Sequence, residues 1–139
     1  MTDEPDMVLA VITRLKADTP VVAVVVARIY RRGDAPKIPI YPYIEVTEVS
    51  DIGDDDTNTS GYAHSRVQCT CFASSDRVAN QLSKKIRRAL HRTTSTALPA
   101  GTGSVYVISI FDAGDGSDGD AEIPLFMYYR DFAVHYEYQ

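Results

Sequence analysis

Two stretches rich in acid and glycine, DIGDDDTNTSG at 51–61 and DAGDGSDGDAE at 112–122, are each bracketed by segments that alternate in strand fashion, and this constrains the fold more than any other feature. YIEVTEV leads into the first, with Ile44 and Val46 able to share a buried face. YAHSRVQCTCFA leads out, with Val67, Cys69 and Cys71 alternating with Arg66, Gln68, Thr70 and Phe72. SVYVISIF precedes the second stretch. Residues 123–138 follow it, with Phe126, Tyr128, Phe132, Val134, Tyr136 and Tyr138 on one side and Met127, Tyr129 and Ala133 on the other. The pattern predicts two antiparallel hairpins with long acidic loops at 51–61 and 112–122. Apolar side chains on both sides of the last strand fit a sheet covered on both faces, the outer one by a neighbouring chain.

Around these hairpins the periodicity becomes helical. Val8, Leu9, Val11, Ile12 and Leu15 form one stripe of a helix that begins near Pro5, and Asp18, Thr19 and Pro20 close it. A second helix spans roughly residues 77–92, capped by Ser75 or Asp76, with Val78, Ala79, Leu82, Ile86, Ala89 and Leu90 on its apolar side. Residues 21–30, VVAVVVARIY, read equally as a buried strand or as a helical turn before a short strand. Three prolines and a glycine make 31–42 an irregular crossover, and TTSTALPAGTG a loose linker. A chain of 139 residues with 45% apolar content suits one domain over 1–139. The expected fold is α+β: a single domain with a mostly antiparallel sheet of about four strands packed against two helices.

The acidic stretch at 112–122 suggests calcium, and its spacing rejects it. An EF-hand loop needs oxygen ligands at positions 1, 3 and 5, glycine at 6 and glutamate at 12. Starting at Asp112 puts Gly114, Gly116 and Ile123 at positions 3, 5 and 12, and starting at Asp115 or Asp118 fails at the glycine. Cys69 and Cys71 have no histidine or further cysteine nearby to complete a zinc site and read as small core residues. No GxSxG, Walker loop, HExxH or GxGxxG is present, so the expectation is no enzyme and no cofactor. The net charge of −5 opposes wrapping of nucleic acid, although Lys84, Lys85, Arg87 and Arg88 give the second helix a basic face suited to contacts between subunits. The acidic N-terminus does not resemble a signal peptide, and no apolar run is long enough to span a bilayer, so a soluble protein made in the cytoplasm is expected.

The order of features resembles the tail terminator, or tail completion (tail-to-head joining), proteins of long-tailed bacteriophages and related viruses. The resemblance runs over nearly the whole chain: an N-terminal helix, ARIY at 27–30, a proline-rich stretch into PYIEV at 42–46, RVQCTCFA at 66–73, the second helix, and the aromatic ending RDFAVHY at 130–136. It implies a virion protein of the tail or neck, assembled in the host cytoplasm. Copies would form a hexameric ring on the head-proximal end of the tail tube, stop tube polymerisation and join the tail to a head-side connector or stopper. Partners would be further copies of the chain, the major tail tube protein and that connector, with DNA passing through the channel without specific binding and no membrane involved. The alternatives are a head-side connector or stopper itself, or a small α+β enzyme or ligand-binding domain. In a ring, Asp54, Asp55 and Asp56 with Asp112, Asp115, Asp118 and Asp120 are candidates to line the channel or a docking rim, where like charge would let DNA slide.

Overall fold

A computed structural model describes residues 6–53, 62–91, 94–99, 104–120 and 125–137. The elements run α1 (Met7–Lys16), α2 (Thr19–Val25), β1 (Ile29–Arg31), β2 (Tyr43–Gly53), β3 (Tyr62–Ala73), α3 (Asp76–Leu90), β4 (Thr94–Pro99), β5 (Ser104–Asp120) and β6 (Leu125–Glu137). Together the strands make one sheet in the order β1-β2-β3-β6-β5-β4, antiparallel except where β1 runs alongside β2. The α+β class and mostly antiparallel sheet are those expected from the sequence; of the two readings open for residues 21–30, the structure shows a helical segment, α2, before the short strand β1, and it adds β4.

Local chemistry explains the helices. Asp6 caps α1 by accepting from the Leu9 N–H at 3.1 Å, and Arg14 and Lys16 sit in its last turn, where cations suit the helix dipole. Asp18 caps α2 in the same way, accepting from the Val21 N–H at 3.2 Å, with a proline in the first turn. Thr19 and Pro20 therefore open a helix instead of closing one. Valines at 21 and 25, one turn apart, are fully buried, so packing overrides their weak helix propensity. The helix stops at Val26, a β-branched residue at φ 60° whose N–H donates to the Val22 carbonyl at 2.8 Å. Along α3, Ala79, Leu82, Ile86, Ala89 and Leu90 recur at helical spacing and are buried, whereas Val78, expected on that side, is 36% exposed.

Three expectations about the connections are corrected. Residues 112–120 of the second acidic stretch are not a loop: β5 continues through Asp120, and the register pairs Asp112 with Phe132, Asp115 with Arg130, Asp118 with Met127 and Asp120 with Leu125; residues 121 and 122 lie outside the described residues. Aspartate and glycine are poor strand formers on average. Here a long partner strand, β6, offers a backbone ladder that resumes after a register shift between Asp112 and Gly114, so context prevails. Residues 94–99, expected as linker, form edge strand β4 against β5. Residues 51–53 of the first acidic stretch belong to β2; Asp54, Asp55 and Asp56 lie outside the described residues.

All three helices lie on one face of the sheet. Against them pack Ile44 and Val46 of β2, Val67, Cys69 and Cys71 of β3, and Phe132 and Val134 of β6, all buried with the apolar faces of α1 and α3 in one core. Helix α1 touches β1 and β2 at one end of the strand order and β4 at the other, so the sheet curls around the helical layer. The opposite, convex face carries no helix among the described residues.

Candidate assembly interface

Strand alternation places Tyr43, Glu45 and Thr47 of β2, Gln68, Thr70 and Phe72 of β3, and Met127 and Tyr129 of β6 on the convex face. All of these but Tyr43, together with Arg32, line a depression of about 310 Å³. Phe72 joins that lining to an aromatic cluster. Tyr43 stacks on Phe72 with ring centroids 4.7 Å apart, and Tyr30 and Tyr41 meet Tyr43 at 5.9 and 5.6 Å. Burial, with neighbouring Tyr41, Glu45 and Tyr30, pushes the Tyr43 phenol above its ordinary value, so it stays uncharged at neutral pH.

Farther along the same face, Arg66 Nη2 donates to Asp131 Oδ2 at 2.6 Å. Asp131 is only 9% exposed, and its Oδ1 has no hydrogen-bond partner among the described residues, while the Arg66 side chain is half in solvent. The two halves of the pair are therefore unequal. Arg66→Ala is expected to lower stability by about 2 kcal/mol, because the buried carboxylate loses its counter-charge; Asp131→Asn should lower it by less than about 1 kcal/mol, because the arginine it releases is already hydrated. Urea unfolding of both variants measures the difference, and equal losses would contradict the asymmetry.

On the helical side, Arg130 Nε donates to Ser83 Oγ at 2.7 Å and the Tyr128 hydroxyl to Asp76 Oδ1 at 2.8 Å, fixing α3 across β6. Ser83 is a polar residue on the buried side of α3, and this bond accounts for it. The basic residues of α3 divide by depth: Lys84, Arg87 and Arg88 are exposed and Lys85 half-buried. Asp112, Asp115, Asp118 and Asp120 belong to β5, an element that α3 also touches.

Among the described residues the most exposed apolar side chains lie where the sequence suggests only a crossover. Ile38 is 89% exposed, Ile40 66% and Tyr41 40%. The segment is anchored at both ends. Arg28 Nε donates to the Pro42 carbonyl at 3.0 Å, and the Asp34 N–H donates to the Arg31 carbonyl at 2.9 Å across a turn in which Gly33 adopts φ 91°. Arg31 is in turn paired with Asp6, the cap of α1. Sequence reasoning missed this feature, although IPIYP carried the signal: apolar residues without strand or helix period, held between prolines.

Nothing among the described residues gathers three or more potential metal-ligating side chains, and none of the described helices is long and apolar enough to cross a membrane. Compared with known proteins, the chain matches over residues 9–125 the family model described as tail completion protein gp17. No curated protein matches it. Among solved structures, a chain described as from the virion of a native gene transfer agent (GTA) particle aligns with a TM-score of 0.70 at 18% identity, covering 93% of this chain and 92% of that one. At that identity the likeness is one of fold.

Proposed function

We infer, because this chain belongs to the tail completion protein gp17 family and is therefore a structural protein of a virion's tail or neck, that its copies form a ring on the head-proximal end of the tail tube, end tube polymerisation and present a surface to the head-side connector. The observation that carries this reading is the family match, which runs from α1 to the start of β6 and so takes in every helix and all but one strand. Physical support comes from the surfaces. The convex sheet face is bare among the described residues, an apolar segment stands in solvent, and a contact between unlike surfaces of identical subunits closes into a ring when its rotation divides a full turn. Covering the last tube ring removes the template on which another would add. Such work needs no bond-making, and we propose that the protein is not an enzyme.

In that ring Asp112, Asp115, Asp118 and Asp120 on β5, with Asp54, Asp55 and Asp56, are proposed to give the DNA path or the docking rim its negative charge, and Lys84, Lys85, Arg87 and Arg88 to face a neighbouring subunit. Particles made without the protein are expected to carry overlong tails that do not join heads, and supplying the chain should restore both length and joining. Tails of normal length without it would overturn the terminator role; normal length combined with failed joining would move the protein to the connector side. Asp→Asn replacement of each acidic set, with tail length, head joining and DNA delivery scored separately, then tells a channel wall from a docking rim.

A further inference from the structure

We propose that His64 of β3 and His135 of β6 form a two-histidine site for a divalent transition-metal cation such as Zn²⁺. The site stands apart from the ring reading, since it needs no neighbouring copy.

The register places His64 and His135 directly opposite each other across the seam between β3 and β6. Alternation puts both positions on the convex face, two residues before Arg66 on β3 and two after Ala133 on β6. Directly opposed residues of an antiparallel pair have Cβ atoms about 4.5–5.5 Å apart, close enough for two imidazoles to share one ion at Zn–N distances of about 2.0–2.1 Å. Neutral imidazole suits Zn²⁺, Ni²⁺ and Cu²⁺, whereas Mg²⁺ and Ca²⁺ take oxygen ligands. Two histidines fill half of a tetrahedral set and leave the rest to water. Protonating both rings would put like charges opposite each other, which destabilises a ladder; one cation shared by neutral rings does not.

The charges around the pair allow a cation. Arg66, the next convex position on β3, is already paired with Asp131 at 2.6 Å, so its charge is met within the chain. Glu137 follows two residues after His135, opposite Tyr62. That position is diagonal to His64 at about 7–8 Å, where a carboxylate adds negative charge without counting as a ligand. At the outer register positions stand Ile52 of β2, opposite His64, and Ser109 of β5, opposite His135, both uncharged. The third histidine of the chain, His91, follows α3 and has no place in the ladder. His64 and His135 are far apart in sequence, so no spacing motif announces them, and only the β3–β6 register brings them together. An ion held there ties one hairpin to the other and stabilises the folded chain by mass action.

Zinc titration of the purified chain at pH 7 tests the site. A single Zn²⁺ per chain is expected to raise the melting temperature, and the imidazole NMR signals of His64 and His135 should move together while those of His91 stay in place; Mg²⁺ should do neither. His64→Gln and His135→Gln should each weaken binding by more than about tenfold, and the double variant should bind little worse than either alone, because a chelate is lost with its first ligand. At pH 5 protons should displace the ion. Signals of His64 and His135 that ignore Zn²⁺ in the folded wild-type chain overturn the site, whether or not the variants fold. Zinc binding that survives both single replacements overturns it as well, by placing the ion on the acidic stretches or on Cys69 and Cys71. Neither result bears on tail length or head joining, so the ring reading would stand.

Discussion

Raising the pH above about 9 is expected to destabilise the fold by roughly 2.7 kcal/mol per pH unit, enough to unfold a protein of ordinary stability within two or three units. Cys69 and Cys71 lie two residues apart on the helical side of β3, each 1% exposed. Burial raises both thiols above the ordinary 9.0. For Cys69 the neighbouring Cys71 and Asp131 add to the rise, and for Cys71 the Arg130 guanidinium offsets part of it. Below about pH 9 both thiols are protonated whether the chain is folded or not, and stability is unaffected. Above it the unfolded chain releases two protons that the native state retains, so the unfolded state gains and stability falls until the native thiols themselves ionise. Urea midpoints at pH 8 and pH 10 under reducing conditions measure the slope, and Cys69→Ala/Cys71→Ala should remove most of it. An equal slope in that variant would mean other groups drive the alkaline transition.

Phe132→Ala should lower stability by about 3–5 kcal/mol and the melting temperature by about 10–15 °C. Among the described residues Phe132 is the largest fully buried side chain, at 0% exposure, on β6 across from Val67 of β3. It occupies the middle of the core under the helical layer, and close-packed neighbours cannot collapse fully into the space it leaves. Tyr129→Ala, three residues back on the half-buried convex face, serves as the contrast and should lower stability by less than about 1.5 kcal/mol. Calorimetry of the two decides whether the helical side alone is the core.

Where burial is one-sided, the sequence declares the fold. Val67, Cys69 and Cys71 alternate because only one face of β3 meets helices, and Leu82, Ile86 and Ala89 repeat at helical spacing because only one side of α3 meets the sheet. Neighbours, and not local composition, settle the rest. Residues 112–120 are strand because β6 lies beside them, and their own letters read as a turn. Helix α2 was more legible than its valines suggest, since Asp18 followed closely by a proline is a helix start. Of the proposed assembly surfaces, the sequence showed the charged residues and the two-sided apolar character of β6. It did not show that residues 38–41 stand in solvent, because exposure of an aperiodic segment depends on what the fold leaves uncovered.

The centre of the sheet is a seam between strands far apart in sequence: β3 meets β6 from Tyr62 opposite Glu137 to Ala73 opposite Phe126, joining a hairpin from the first half of the chain to one from the second. Neither hairpin can bury its inner strand until the other has been synthesised, which makes this a topology of late, long-range closure and slow folding. It also means that a hairpin from one newly made molecule can complete the sheet of another through the same residue pairs. Domain-swapped dimers are therefore the misassembly to which crowded synthesis exposes this architecture.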